Sequence, residues 1–387
     1  MQGSKRAGEA EETMRALPED TMIARERVEK TLSHEEPDRV PVFDLIQHIP
    51  LIEHCTGEKV TMENGLDLLC RTIGENLDLT RGIAPPVEEK IVAYDDGFVY
   101  KQEWWTTWLI ERPFNDLKGL LDYIRKNIDE INESEETEIW SFAGKANVWG
   151  VSEQSPKEQF LSLQEKVGEN TVLFPTESPV GLDTAFHRAG LELFCYAYYE
   201  DPELVSNWLE ALVSHEIKRV HATADPELSP VALIYADIAD KNATYFSPAF
   251  LRRELFPRLK RLVDAWHTHG IKVIYHSDGN LWEVLDDFLQ AGLDGINPLE
   301  VLAGMDPCAV KAQYPQFTLM GGIDCSALLP FGTTEEVTQA VKRAIDGAAP
   351  SGGLILGSTT EIHPACKLEN VLTMWDTTLT HGRYSQS

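Results

Sequence analysis

The chain has 387 residues, of which 43% are hydrophobic and 25% charged, the balance of a globular protein with a large core. Its 63 acidic and 34 basic residues give a formal net charge of -29, which repels phosphate backbones and anionic lipid head groups. We therefore expect neither nucleic acid nor a membrane surface as a partner. Six scattered cysteines, with no signal peptide and no apolar run of about 20 residues, favour a cytoplasmic protein.

The predicted elements begin after a small, polar segment, residues 1–20, which we expect to be flexible. A helix is predicted from Thr21 through Leu32, and Pro37 ends it. From there short β-rich runs alternate with amphipathic stretches, the pattern of βα units around a parallel sheet. Residues 21–387 are therefore predicted to form one domain with a helical extension at its start.

The clearest predicted strands are short apolar runs at residues 171–174, 231–235, 271–275, 295–297, 317–320 and 353–356. Segments near 42–43 and 77–79 complete the set. About eight strands are expected in all, the number that closes a (β/α)8 barrel, or TIM barrel. An open doubly wound sheet is the structural alternative. Its nucleotide-binding versions carry a glycine-rich phosphate loop that this sequence lacks.

A β-hairpin is predicted within residues 92–110, turning at Asp95-Asp96-Gly97, as an insertion in the barrel. Tryptophans 104, 105 and 108 lie on its return strand. Such an insert usually forms either a lid or an oligomer contact. An oligomer contact would produce a homodimer. The tryptophans either pack the insert or, through Trp105, provide a ring on which an aromatic substrate stacks.

Polar residues follow many of the predicted strands, where a TIM barrel carries its catalytic groups. Most of these polar residues are acidic. The full set is Asp78, Glu177, Asp237, Asp240, His276, Asp278, Asn297, Glu300, Asp324, Glu361 and His363. Each alone can be a structural hydrogen-bonding residue. Carboxylates gathered in one mouth would repel one another without a cation or protons, so the whole set indicates a divalent metal.

The turn His276-Ser277-Asp278-Gly279 is the best metal candidate because it directly follows the predicted strand 271–275. Residues i and i+2 leaving a strand can both turn toward one ion, and Gly279 relieves the bend. A histidine with carboxylates suits zinc, iron or manganese. A structural His–Asp pair is the alternative interpretation.

The order of several motifs resembles that of the uroporphyrinogen-decarboxylase-like TIM barrels. These include the decarboxylase of haem synthesis and the zinc methyltransferases of corrinoid-dependent methyl transfer. The matching pieces lie between about residue 22 and the C-terminus: Glu36-Pro-Asp-Arg-Val-Pro-Val42, Tyr275-His-Ser-Asp-Gly-Asn280, Gly292-Leu-Asp-Gly-Ile-Asn-Pro-Leu299, Gly304-Met-Asp306, Gly321-Gly-Ile-Asp324 and Leu368-Glu-Asn370.

Two departures from the family patterns narrow this resemblance. The decarboxylases carry a Trp-x-Met-Arg-Gln-Ala-Gly-Arg segment whose arginine anchors substrate carboxylates, whereas residues 43–48 here contain no arginine. The thiol-methylating branch holds zinc with His-x-Cys and a later cysteine. This chain has His276 followed by Asp278, and Thr360 beside Glu361 at about the second cysteine position.

Carboxylates in place of thiolates make a bound metal a stronger Lewis acid toward oxygen. The resemblance therefore implies the methyltransferase component of an aryl-methyl-ether O-demethylase, which passes a methyl group from a small methylated substrate to the cobalt of a corrinoid protein. It implies zinc held by His276, Asp278 and Glu361, with Glu177 as a fourth ligand released when substrate enters.

The remaining candidates surround that metal site. Asp237 and Asp240 are expected to orient ligands or deliver a proton, and Asn297, Trp105 and His363 to contact the substrate. Two other functions remain open. One is a decarboxylase of a small aromatic or tetrapyrrole acid, which would need a basic anchor in the mouth such as Arg81 or Lys241. The other is a non-catalytic partner that docks a corrinoid protein.

Overall fold

The computed structural model describes residues 20–104, 106–134, 156–175 and 177–384. Its strands are Leu79–Thr80 (β1), Lys90–Ala93 (β2), Val99–Gln102 (β3), Thr107–Glu111 (β4), Val172–Leu173 (β5), Glu177–Pro179 (β6), Val231–Tyr235 (β7), Lys272–His276 (β8), Gly295–Asn297 (β9), Thr318–Ile323 (β10) and Leu354–Ser358 (β11). Almost all of the segment predicted to be flexible, residues 1–20, lies outside the described residues, so that expectation stays a prediction.

The helices are Ala24–Leu32 (α1), Ile49–Thr56 (α2), Gly65–Asn76 (α3), Leu117–Glu133 (α4), Pro156–Val167 (α5), Leu182–Ala189 (α6), Leu191–Glu200 (α7), Pro202–Thr223 (α8), Pro248–Glu254 (α9), Phe256–Thr268 (α10), Leu285–Ala291 (α11), Pro307–Gln313 (α12), Leu328–Phe331 (α13), Thr334–Ala348 (α14) and Leu368–His381 (α15). No helix in the described part of the chain combines the length and apolar character needed to cross a bilayer.

The parallel strands close into the predicted barrel. Strands β6 to β11 form one parallel sheet in chain order. The segment Val42–Phe43 joins the two open ends, because Val42 bridges to β11 and Phe43 bridges to β1. Since β1 pairs with β5, and β5 and β6 lie in one stretch of chain, the ring closes with eight strand positions. The prediction of a (β/α)8 barrel is confirmed.

The barrel interior is a separate apolar core. Alternate residues of the strands point inward, among them Leu233, Ile274, Met320 and Ile355, and all four are buried. Val28 and Leu32 of α1 belong to the same cluster. The predicted N-terminal helix therefore packs against the barrel interior.

Two predicted segments are more finely divided in the structure. The insert is a three-stranded antiparallel sheet, β2-β3-β4, and not a simple hairpin. Its first turn lies at residues 95–97 as predicted, and Trp104 lies in the second turn, just before β4. The predicted helix 248–268 is broken into α9 and α10 at Leu255, and Pro257 is the second residue of the new helix.

A buried ion network lies at the amino ends of the first strands. Asp78, immediately before β1, accepts hydrogen bonds from Arg27 Nη1 at 2.7 Å, from the Arg39 guanidinium and from the Val42 amide at 2.8 Å. Arg27 also forms two bonds of 2.7 Å to Asp38. Asp78, one of the polar residues grouped with the strand ends, therefore belongs to the face opposite the mouth.

Candidate functional site

The carboxyl ends of β7 and β8 bring a small, mostly acidic cluster together. In the register of the sheet Tyr235 of β7 pairs with His276 of β8, which pairs with Asn297 of β9. Asp237 lies two residues beyond Tyr235, and Asp278 two residues beyond His276. Because neighbouring parallel strands end at the same level, both carboxylates reach the same point above the barrel.

Asp237, His276 and Asp278 could together hold a metal ion. One ligand atom from each lies within 4.8 Å of the others, and no other such group occurs in the described ranges of the chain. His276 Nε2 is 3.9 Å from Asp237 Oδ1, and the imidazole is almost fully buried. A histidine nitrogen with two carboxylates fits zinc, manganese or iron.

The hydrogen bonds of His276 leave its Nε2 as the ligand atom. Its Nδ1 is 2.7 Å from Asn297 Oδ1, and the Asn297 amide nitrogen donates to the Met320 carbonyl. The asparagine oxygen is therefore an acceptor, so Nδ1 carries the proton and Nε2 the lone pair. Burial, and then the positive charge of Arg81, lowers the pKa of His276 to about 4. The ring is thus neutral at pH 7, as a metal ligand must be.

The two carboxylates are held by polar contacts. Asp237 accepts the Tyr235 hydroxyl at 2.8 Å and the Asp278 amide at 2.9 Å. Asp278 accepts the Thr360 hydroxyl at 3.1 Å. Burial, and then the charges of Asp237 and Glu300, raise the pKa of Asp278 to about 7. A nearby cation would relieve this repulsion, and its binding would release the Asp278 proton.

Gly279 has the conformation that the turn requires. Its φ is +91°, and a Cβ there would lie 2.6 Å from both the Ala239 carbonyl carbon and the Asp240 oxygen. Its amide donates to Glu300 Oε2 at 2.7 Å. A larger residue would be strained and would push the β8 loop away from the β7 loop. The predicted role of Gly279 in relieving the bend is consistent with this geometry.

Arg81, which follows β1, lies inside the mouth. Its Nη1 is 3.1 Å from His276 Nε2, and the rest of the guanidinium pairs with the Glu177 carboxylate. Although burial opposes its charge, Glu177 keeps the pKa of Arg81 above its ordinary value. The guanidinium carbon also lies 5.3 Å from the centre of the Tyr235 ring, and that ring stacks on His276. The positively charged guanidinium of Arg81 therefore already points at His276 Nε2.

The other predicted ligands lie beside the three-residue cluster and are not part of it. Glu177 pairs with Arg81. Glu361 follows β11, and burial raises its pKa while the charge of Arg81 opposes that rise. Both carboxylates are thus near Arg81, and their role as ligands stays a prediction.

The predicted catalytic and substrate residues are distributed differently. Asp237 is a member of the cluster, whereas Asp240 is exposed and accepts the amides of Asn242 and Ala243 in its own loop. His363 Nδ1 accepts the Ala365 amide, so Nε2 is the protonated nitrogen and donates to the Cys325 carbonyl at 2.8 Å. Trp105 lies outside the described residues.

Two family motifs serve local structure. Asp324 accepts the amides of Ser326, Ala327 and Leu328 and so holds the turn after β10. Asp306 caps α12 by accepting the amides of Cys308 and Ala309. For both aspartates the structural interpretation is sufficient.

Sequence reasoning missed Asp183, a carboxylate on the first turn of α6. It is fully buried, and neither of its oxygens has a hydrogen bond of acceptable geometry within the described part of the chain. Its signal was a single acidic residue in the apolar stretch that follows β6, Val180-Gly-Leu-Asp183. The sequence did not predict β6, so Asp183 lay nine residues beyond the end of the nearest predicted strand, 171–174.

The fold and the site together define a TIM-barrel protein whose polar groups gather at the carboxyl ends of the strands, where TIM-barrel enzymes have their active sites. The chain belongs to the uroporphyrinogen decarboxylase (URO-D) family, since the sequence model of that family matches residues 162–381. This match confirms the resemblance drawn from the motifs.

A solved methyltransferase structure shares the fold. A methyltransferase from Methanosarcina mazei superposes with a TM-score of 0.64 at 18% identity, over 93% of this chain and 99% of that chain. A xylose isomerase-like TIM barrel protein from Mycobacterium smegmatis, in complex with magnesium, is much less similar, with a TM-score of 0.33 at 13% identity over 69% of this chain and 90% of that chain. A search of curated protein sequences found no match.

Proposed function

We propose that this chain is a zinc-dependent methyltransferase that moves a methyl group from a small methylated substrate, an aryl methyl ether, to the cobalt of a separate corrinoid protein. The observation that carries the proposal is the convergence of Asp237, His276 and Asp278 at the mouth of the barrel. The shared fold with a protein named as a methyltransferase supports the reaction class. Six unpaired cysteines are in keeping with the proposed cytoplasmic location.

The ligand chemistry supports an oxygen-bound methyl group. When bound, the metal would act as a Lewis acid toward the ether oxygen, which becomes a phenolate as the methyl group leaves. Its proposed ligands are His276 and Asp278, with Asp237 as the third. Glu361 and Glu177 remain candidates for a further position, because both lie near Arg81 at the edge of the cluster.

The protein's own residues prepare the site for this chemistry. Asn297 fixes the imidazole with its Nε2 lone pair toward the mouth. The Tyr235 hydroxyl donates a hydrogen bond to Asp237 Oδ2 at 2.8 Å, which orients that carboxylate toward the cluster. Arg81 must turn from His276 toward Glu177 before a metal can bind Nε2. Its existing pair with Glu177 supports that movement.

Metal analysis tests the proposal directly. Protein purified without chelator should hold about one equivalent of zinc, and His276→Ala and Asp278→Ala should each reduce it to a small fraction. Asp264→Ala, which changes an exposed carboxylate on α10, is the matched control and should keep the metal. Loss of the cobalt(I) absorbance of cob(I)alamin, on addition of a methoxylated phenol, should follow the metal content. Metal and activity retained in both site variants would refute the assignment.

The position of Arg81 favours one alternative, a metal-independent decarboxylase that uses this guanidinium as its basic anchor. Arg81→Gln separates the two functions. Removing a positive charge beside His276 should strengthen zinc binding several-fold if the site holds a metal. A decarboxylase would instead lose substrate binding in this variant and remain active after treatment with a chelator.

A further inference from the structure

Two histidines face each other on the outer surface of the barrel, at the ends of two neighbouring helices. His221 lies in the last turn of α8, and His269 is the residue at which α10 ends. His221 Nδ1 is 3.1 Å from His269 Nε2, and the two ring planes are inclined by 51°. His221 is exposed and His269 is half-buried, so water reaches the pair. Because α8 and α10 lead into the amino ends of β7 and β8, the pair lies at the end of the barrel opposite the mouth.

Other contacts hold α8 and α10 side by side. Arg258 Nη2 donates to the Ser206 carbonyl at 2.9 Å, and Arg261 Nη1 donates to Glu210 Oε1 at 2.6 Å. The residue numbers rise in the same direction along both helices, so the helices run parallel and the histidines form a further contact between them. The backbones that carry the histidines are therefore positioned by bonds in which the histidines take no part. A ligand that binds both rings would find them already close together.

The gap between the rings matches the spacing of two nitrogen ligands on one metal ion. Zinc–nitrogen bonds of about 2.0–2.1 Å place two ligand nitrogens about 2.9 Å apart at a right angle and about 3.3 Å apart at the tetrahedral angle. The observed 3.1 Å lies between these values. In the hydrogen-bonded pair one of the facing nitrogens carries a proton. A neutral imidazole can hold that proton on its other nitrogen instead, which leaves a lone pair on both facing nitrogens.

We propose that His221 and His269 form a second metal site, a two-histidine chelate for Zn²⁺, Ni²⁺ or Cu²⁺ that joins the ends of α8 and α10. Imidazole suits these ions, and the net charge of -29 draws cations to the surface. Water would complete the coordination. With two protein ligands and open access to solvent, this site would bind metal more weakly than the three-residue cluster and lose its ion during purification. The single equivalent of zinc expected in purified protein would therefore remain that of the mouth.

Titration with Ni²⁺ tests the two-histidine site. The protein is the full chain with His276→Ala and Asp278→Ala, here called the mouth variant, treated with a chelator so that the mouth cluster takes no part. Calorimetry should show about one equivalent of bound Ni²⁺. Adding His221→Gln or His269→Gln should weaken that binding about tenfold or more, because a single imidazole remains. Mg²⁺ in excess should not compete, because it prefers oxygen ligands.

His54→Gln is the matched control, since it changes another exposed histidine, on α2. In the mouth variant it should leave the Kd for Ni²⁺ within about twofold. Ni²⁺ in excess of its Kd should raise the melting temperature of the mouth variant, and His221→Gln should abolish that rise. Equal Kd values after His54→Gln and His221→Gln would overturn the proposal, as would no binding in a mouth variant that melts cooperatively.

The parent protein gives a second measurement that needs no change at the mouth. His276 is almost fully buried, so it cannot reach a chelating resin. On a nickel-iminodiacetate resin the untagged parent and His54→Gln should elute together, at a higher imidazole concentration than His221→Gln. Elution of the parent with His221→Gln would overturn the proposal and leave the pair as a hydrogen bond alone. Methyl transfer to cobalt should be unchanged in His221→Gln, because the two-histidine site would exist whatever reaction the mouth catalyses.

Discussion

The two ends of the barrel treat buried charge in opposite ways. At the amino ends of the strands, Asp38 and Asp78 are matched by Arg27 and Arg39, and these ion pairs overcome burial to lower the pKa of Asp38 to about 2. At the carboxyl ends burial and neighbouring carboxylates raise the pKa of Asp278 to about 7. The closed network serves folding, whereas the mouth holds uncompensated charge that a bound cation would neutralise.

Asp78 and Arg81 show the difference over one short strand, because they flank β1 on its two sides. Asp78 accepts bonds from both network arginines and the Val42 amide. Arg81 divides its guanidinium between Glu177 and His276, whose ring is neutral. Only the second arrangement has a partner that can be exchanged for a metal or a substrate.

The largest effect is expected from breaking the closed network. Asp78→Asn leaves Arg27 and Arg39 buried with too little negative charge, and should lower the free energy of unfolding by about 3–5 kcal/mol. Urea denaturation at pH 7 measures the change. The control is Asp264→Asn, which breaks the exposed pair between Lys260 and Asp264 and should cost less than about 0.5 kcal/mol. Equal losses in the two variants would contradict the role given to the network.

A smaller effect is expected from removing the hydrogen bond between Asn297 and His276 at the mouth. Asn297→Ala removes the acceptor that fixes the His276 tautomer, so zinc affinity should fall by about 10–100-fold while the protein stays folded. Competition with a chromophoric chelator gives the affinity. Asn76→Ala on α3, which removes an amide far from the mouth, should leave it unchanged. Affinity within about twofold of the parent would mean that Asn297 does not prepare His276 for metal binding.

The barrel could be predicted because each of its strands is a short apolar run followed by polar residues. Both features can be read from a few neighbouring residues of the sequence. His276 and Asp278 were found for the same reason. The direction of a two-residue strand is not local, so Asp78 was grouped with the mouth although it lies at the other end of β1. The sequence shows that a polar residue lies near a strand, but it does not show how far that residue lies from the other polar residues in the folded protein.

The composition of the cluster depends on strand register. Asp237 joins His276 because Tyr235 pairs with His276 across β7 and β8, and no sequence pattern fixes that pairing. Arg81 follows β1, and Asp183 lies on the first turn of α6, more than 90 residues further along the chain. Their effect on the site follows from burial and charge in three dimensions. The sequence therefore predicted that polar residues gather at the carboxyl ends of the strands, but not which of them come together.

The smallest effect is expected from removing the Thr360 hydroxyl, which donates a hydrogen bond to the Asp278 carboxylate. In the parent protein zinc affinity should be constant above about pH 7 and fall below it, because protons then compete with the metal for the Asp278 carboxylate. Thr360→Val removes the hydroxyl that stabilises the charged form, so the fall should begin at a pH higher by less than about one unit. At pH 7 zinc should then bind about threefold more weakly. Thr373→Val, on the exposed side of α15, should leave the profile unchanged. A profile that shifts toward lower pH in Thr360→Val would mean that the hydroxyl supports the protonated carboxyl, and the mouth would then hold Asp278 as an acid and not as a ligand.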